Sequence, residues 1–461
     1  MSRKPYPTYK PSGVEWLGDV PKGWLVERLK FSATSRVSNV DKLSGEDEIP
    51  VRLCNYVDVY KNDEIIPELP FMEATATPEE IKKFGLRVGD VLITKDSEDW
   101  RDIAIPAYVR GTAEDLVCGY HLAIVRASER RMKARYLFDL FRSRAVNTQF
   151  QVASSGVTRY GLPKSAVGEA WVPIPPKVEQ EKISAFIEIQ TRRIDELIAK
   201  KRELIERLKE KRTALISHVV TKGLPPEEAA KHGLPVNPPL KPSGVPWLGE
   251  VPEHWSVSKI GYNSSKIGSG KTPDGGATAY VEEGIPFIRS QNVYDDGLRL
   301  HDIVYIDEAT DREMAVSRVR SNDVLLNITG ASLGRCSIYP SGFGPGNVNQ
   351  HVCIVRTRRK LSAQYLHLYF TSQALKAQIQ SLENGSSREG LNFKQIGAMT
   401  VLLPPLEEQT AISAYLSMRA SQLDTLAASV HAAIDKLQEY RSALITAAVT
   451  GKIDVREEVT T

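Results

Sequence analysis

Residues 11–24 read PSGVEWLGDVPKGW, and residues 242–255 read PSGVPWLGEVPEHW. The same phrase of Pro, Gly and Trp returns 231 positions later. Further along, IPPKVEQEKISAFIEIQ from Ile174 aligns with LPPLEEQTAISAYLSMR from Leu403, a shift of 229, and KRTALISHVVTKG from Lys211 aligns with YRSALITAAVTGK from Tyr440. Fainter matches keep the same order: VGDVLITK from Val88 with SNDVLLNI from Ser321, GYHLAIVR from Gly119 with NQHVCIVR from Asn349, and SSGVTRYGL from Ser154 with GSSREGLNF from Gly385. Two copies are too few for a solenoid. The pattern indicates a tandem duplication, each half running lead-in phrase, variable block, Pro-Pro and long helix.

The 461 residues are 41% hydrophobic and 25% charged with net charge +3, the composition of a soluble globular chain. No apolar run approaches the roughly 20 residues of a membrane helix, and the basic N-terminus lacks the apolar stretch of a secretory signal. Cys54, Cys118, Cys336 and Cys353 are scattered without CxxC spacing, so neither a disulfide framework nor a structural zinc is expected, and a cytoplasmic location is.

The expected organisation is an N-terminal lead-in segment 1–24, a first block 25–173, a long helix 174–223, a linker and repeated phrase 224–255, a second block 256–402, and a long helix with tail 403–461. Runs such as DVLITK, HLAIVRA, DVLLNIT and HVCIVRT alternate with helical patches, so each block reads as a mixed α/β domain. Segments 178–220 and 407–449 lack Pro and Gly and carry heptad patterning. The expected seam in the first is Ile183, Ile187, Ile194, Leu197, Leu204, Leu208 and Leu215. In the second it is Ile412, Leu416, Arg419, Leu423, Leu426, Val430, Ala433, Leu437, Tyr440 and Leu444. The fold class is therefore α+β: two mixed α/β domains in a pseudo-two-fold arrangement, joined by two long antiparallel coiled-coil helices. At ~1.5 Å per residue each helix is a rod of roughly 60 Å, able to hold two readers a fixed distance apart. Gly223 and Gly451 stand where the helices should end.

Several motifs tempt and fail. IGSGKTP at 267–273 lacks the first glycine of an ATP-binding loop, has no clear strand before it, and Pro273 blocks the helix that must follow. NPPL at 237–240 resembles an adenine-methyltransferase motif but ends in Leu240 rather than an aromatic that stacks on a flipped base. Asp90 and Asp323 read as turn residues, not nuclease carboxylates, and His121 and His351 as structural hydrogen-bonders. What remains is a set of polar clusters at corresponding places in the two blocks. In the first block these are Arg52 and Asn55, Lys95 with Arg101, and Thr158, Arg159 and Tyr160. In the second they are Lys271 and Thr272, Arg289, Gln291 and Asn292, Asn349 and Gln350, and Ser386, Ser387 and Arg388. Arg, Asn and Gln can pair bidentately with base edges, and Ser, Thr and Lys suit phosphates, so the set is a DNA-binding candidate.

The repeated PSGVxWLGxVPxxW, the two PPxxEQ motifs, GVTRYGLPKSAVGEAWVPIPP and TGKIDV together resemble the specificity subunit of type I restriction-modification enzymes over nearly the whole chain. The resemblance implies that each block is a target-recognition domain reading one half of a bipartite, asymmetric double-stranded DNA site. The helices would set the gap and dock two modification (methyltransferase) subunits, which recruit restriction (translocase and nuclease) subunits. The chain itself would be no catalyst and hold no cofactor or metal; S-adenosylmethionine, ATP and Mg would belong to the partners, and no membrane is involved. An equivalent subunit of a related system cutting on both sides of its site is the alternative within this class. The rivals outside it are an enzyme, which the failed motifs oppose, and a scaffold that reads no DNA. Trp16 and Trp247 are expected as packing anchors of the repeated phrase.

Overall fold

The computed structural model describes residues 4–43, 45, 47–383 and 390–458. The chain divides into two compact units, Met1–Lys201 with His431–Thr461, and Arg202–Val430. The division falls inside the two long helices, so each unit holds one block, the start of one helix and the end of the other.

In the first unit a five-stranded sheet runs in the order Ala33–Val37, Leu122–Ala127, Val91–Thr94, Pro106–Val109, Glu64–Ile65. A second sheet orders Leu116–Cys118, Ile49–Cys54 and Met72–Ala76. Val51, Leu53, Phe84, Leu92 and Ile124 form one core with them. Val91–Thr94 is buried at every position, as an unbroken apolar run in a central strand requires. In the second unit the order is Ser264–Ser269, Val352–Thr357, Val324–Asn327, Cys336–Ile338, beside a five-stranded sheet from Tyr280–Val281 to Arg318–Val319. A strand therefore does precede GKTP, contrary to the sequence reading. No phosphate-binding helix follows; the next element is the short 3₁₀ turn Gly276–Ala279. Gly270 is dictated by packing, because a Cβ there would lie 1.5 Å from the Val348 carbonyl oxygen.

Each block is closed by pairing its first strand with its last. Leu25–Arg28 pairs with Trp171–Ile174, and Ser256–Lys259 with Thr400–Leu403, both antiparallel. The chain then passes Pro-Pro into Lys177–Lys222 or Leu406–Val449. The glutamine of each PPxxEQ motif fastens the helix start to its block. Gln180 Oε1 accepts from Lys133 N at 2.8 Å, and Nε2 donates to Arg131 O and Pro175 O. Gln409 repeats this with Ser362 N, Lys360 O and Pro404 O.

Within each unit the helix segments run antiparallel. In the first, Asp195 faces Arg441 while Lys182 reaches Arg456, beyond the end of the second helix. In the second, Arg212 faces Asp424 and Gly223 lies beside Glu408. The seam differs from the expected one by one residue at alternate positions. Ile187, Ile194, Leu208, Leu416, Val430 and Leu444 are buried as expected, and Leu215, Leu423 and Leu437 are half-buried. Leu197, Leu204 and Leu426 are instead 48%, 41% and 46% exposed; Ile198, Ile205 and the half-buried Ala427 take their inner positions, and Ile434 is buried more deeply than the expected Ala433 beside it. Where a heptad offers adjacent apolar residues, periodicity alone cannot choose between them. Arg419 and Tyr440 are likewise exposed, with Ala420 and Arg441 turned inward.

The repeated phrase caps the helix ends. Gly223 and Gly451 end the helices at φ of 92° and 69°. Trp255 packs on Gly223 and Trp24 on Gly451, both indoles being buried. Trp16 and Trp247, expected as the anchors, are 43% and 49% exposed. Their loop turns on Ser12 and Ser243, each bonded to the valine two residues on, and seats Leu17 or Leu248 inward instead.

Candidate functional site

The first block carries a polar cleft at the end of its central strand, and the second a hydrogen-bonded polar cluster at the corresponding place. In the first, Val91–Thr94 delivers Lys95 and Asp96, and Asp96–Ser97 pairs with Tyr160–Gly161. That pairing sets Tyr160 opposite Ser97 and puts Arg159 beside Asp96, while Thr158 stays exposed in the turn. Gly156 makes the turn possible, since a Cβ would lie 1.9 Å from the Arg159 carbonyl oxygen. His121 is fixed by its carbonyl, which accepts from Lys95 N at 3.0 Å. Asp96 is the hub: one carboxylate oxygen meets His121 Nδ1, the other accepts from Lys95 Nζ at 2.7 Å. Arg159 Nη2 lies 3.3 Å from Asp96 Oδ1 and 2.9 Å from His121 Nδ1.

Across the cleft, Tyr56 and Tyr60 stack at 5.6 Å between ring centroids, and Tyr56 Oη sits 3.2 Å from Ser97 Oγ. Asn55 starts their helix in a capping box with Asp58. The cleft encloses about 600 Å³ and includes Glu98, Asp99 and Asp102. Arg101 clasps Asp99 at 2.6 Å, and that hydrogen bonding holds the Asp99 carboxyl below its usual range. Burial, aided by Asp99, pushes the Asp102 carboxyl up. Arg52 stands apart from this group. Its guanidinium is bidentate to Asp115 at 2.7 and 2.8 Å and also donates to Pro67 O.

In the second block a polar cluster stands at the corresponding place. Ile328 N donates to His351 O, as Lys95 N does to His121 O. A hydrogen-bonded chain runs from Thr272 Oγ1 to Gln350 Oε1 at 2.6 Å, from Gln350 Nε2 to His351 Nε2 at 3.1 Å, and from His351 Nδ1 to Thr329 Oγ1 at 2.6 Å. Lys271 is exposed beside it, and Asn349 Oδ1 accepts from His351 N. Gln291 is exposed, but Asn292 is fully buried, its side chain closing the local loop through Arg299 O. Arg289 spends one Nη2 bond on Asp302 O. Ser386, Ser387 and Arg388 lie outside the described residues.

Asp90 and Asp323 are buried partners of the arginines ending HLAIVR and HVCIVR. Arg126 and Arg356 each engage them bidentately at 2.6–2.7 Å. Asp96, Tyr56, Tyr60 and Thr329 were not singled out from sequence. Asp96 and Thr329 occupy corresponding positions without resembling one another, so a search for repeated residue types passes over both. Among the described residues, no group of three His, Cys, Asp or Glu is placed to hold a metal ion, and no helix is long and apolar enough to cross a membrane.

These features define a duplicated α+β protein with one polar cluster per unit at corresponding places. Residues 252–433 match the family described as type I restriction modification DNA specificity domain. The putative type I restriction enzyme MjaX specificity subunit of Methanocaldococcus jannaschii is 23% identical over 95% of this chain and 96% of its own. The EcoKI specificity subunit of Escherichia coli K12 is 20% identical over 95% and 90%. Among solved structures, a chain from work on assembly and conformational transition of the type I R-M system superposes with TM-score 0.67 at 17% identity, covering 94% of this chain and 99% of its own. The HsdS subunit from Thermoanaerobacter tengcongensis gives 0.50 at 19% identity, covering 94% and 98%. The chain is thus similar over nearly its whole length to specificity subunits of type I restriction enzymes, and residues 252–433 carry the match to the DNA specificity domain of those systems.

Proposed function

We propose that this chain is the non-catalytic, DNA-reading subunit of its complex, with residues 25–173 and 256–402 as two target-recognition domains that each read one half of a bipartite, asymmetric site. The observation that carries this is the pair of polar clusters at corresponding positions on a repeated frame, each containing side chains able to engage bases or phosphates. Their difference in chemistry supports an asymmetric site. The antiparallel helices fix the gap between half-sites and dock two methyltransferase subunits, and through them the restriction subunits. S-adenosylmethionine, ATP and Mg²⁺ are assigned to those partners. A cytoplasmic location is supported by four cysteines that are all free and buried.

A methyltransferase must flip adenine to reach N6, so the reader's work is positioning. Reading two short sequences in one frame multiplies discrimination, because each mismatched pair costs about 1–3 kcal/mol. The test is a map of N6-methyladenine in DNA from cells making this chain with its methyltransferase partner. Two short defined halves at a constant gap are expected. A single continuous motif, or methylation independent of this chain, would refute the reading.

A further inference from the structure

We propose, resting on the reading just given, that Arg159 selects a guanine in the half-site of the first block, and that Asp96 and His121 are positioning residues that aim it. The Arg159 side chain is 55% exposed. Its contacts to Asp96 and His121 all run through Nη2. Nε and Nη1 make no hydrogen bond among the described residues, and Nη2 carries two N–H groups, so with one of them held the other can still join Nη1 in a parallel donor pair. Guanine displays two acceptors, O6 and N7, side by side in the major groove, and a planar guanidinium is the side-chain group that matches them with two parallel donors.

The aim is built in before binding. Asp96 is itself gripped by Lys95 and His121, and the short strand pairing ties the backbone of Arg159 beside it. An arginine ordered in advance loses less rotamer freedom on contact, which favours both affinity and selectivity. The charge around it disfavours a phosphate. Asp96, Glu98, Asp99 and Asp102 outnumber Lys95, Arg101 and Arg159, so the group is net negative and repels the backbone, while a neutral base edge carries no such penalty.

Among the described residues of the second block no such ionic clamp is formed. Thr329 stands where Asp96 does, and holds His351 through a hydroxyl. A hydroxyl supplies no charge to orient a guanidinium, so the ionic clamp belongs to one block and its effect should appear in one half-site.

The experiment maps N6-methyladenine in cells making the full chain with its methyltransferase partner, for wild type, Arg159→Ala, Arg159→Lys and Asp96→Asn. Arg159→Ala and Arg159→Lys should both relax the requirement for G·C at one position of one half-site. Discrimination there should fall by roughly 5- to 150-fold, the worth of one bidentate pair, while the other half-site stays unchanged. Asp96→Asn should relax the same position by less. If Arg159 only touches phosphate, Arg159→Lys will keep wild-type selectivity, and the proposal is wrong. An even loss of methylation at every site with both Arg159 variants would equally overturn it. A wild type that shows no bipartite site at all would instead refute the function on which the proposal rests.

Discussion

Arg441, near the end of the second long helix, pairs with Asp195 of the first at 3.0 Å and with Asp63 of the first block at 2.7 Å. Arg212, 229 positions earlier, faces Asp424 at 3.5 Å in the second unit. One arginine of the apolar seam thus meets an aspartate of the opposing helix in both units. Asp63 and Asp195 are more than a third exposed, so solvent screens the pairs. Arg441→Ala should lower stability by about 1–2 kcal/mol, and an Arg441/Asp195 double-mutant cycle should give a coupling of about 0.5–1 kcal/mol by urea denaturation. Additive single effects would show that the pair does no joint work.

The PPxxEQ glutamines should matter more. Gln180 and Gln409 are fully buried and make three hydrogen bonds each to backbone groups that have no other partner among the described residues. Removing the amide leaves those groups unsatisfied. Gln409→Ala should cost about 2–4 kcal/mol, with a matching fall for Gln180→Ala. A loss below about 1 kcal/mol at either site would contradict this.

The four tryptophans of the repeated phrase should separate into two pairs. Trp24→Ala and Trp255→Ala empty buried sites against the helix-ending glycines and should each cost about 3–5 kcal/mol. Trp16→Ala and Trp247→Ala should each cost about 1 kcal/mol or less, since those rings are largely in solvent. Thermal unfolding of the four variants ranks them directly.

The seam correction is equally testable. Ile205 is buried and Leu204 is not. Ile205→Ala should cost about 2–4 kcal/mol, whereas Leu204→Ala should cost about 1 kcal/mol or less. The reverse order would restore the seam read from sequence.

Asp139 offers a pH test. Burial raises its carboxyl from 3.8 to about 6, only partly offset by Arg142 and Arg135. The folded state therefore binds more protons than the unfolded state between these values. This contribution to stability is fully present below the unfolded pKa and is lost as pH rises through about 6. Leu368 stands at the corresponding place in the second block, so no matching term arises there. The difference in unfolding free energy between wild type and Asp139→Asn should change by on the order of 2–3 kcal/mol from about pH 4 to pH 7, against the wild type as pH rises. Parallel pH curves for the two proteins would exclude it.

The sequence by itself determined the duplication, the order of parts, the Pro-Pro starts and Gly ends of the helices, and the α+β class. Those rest on local rules that survive divergence: proline lacks an N–H, glycine accepts positive φ, and apolar residues recur with the period of their element. The tertiary structure alone decided which tryptophan of each phrase is buried, which residue of each adjacent apolar pair enters the seam, and which polar residues share a cleft. Arg52 and Arg159 illustrate the last point. Both are arginines beside strand-type runs, yet Asp115 occupies one guanidinium across a strand pair, while Asp96 and His121 hold only one edge of the other. Their partners lie 63, 63 and 38 positions away respectively. Side chains that distant in sequence become neighbours only once the sheets have formed, and a chemistry that depends on such neighbours is set by the fold.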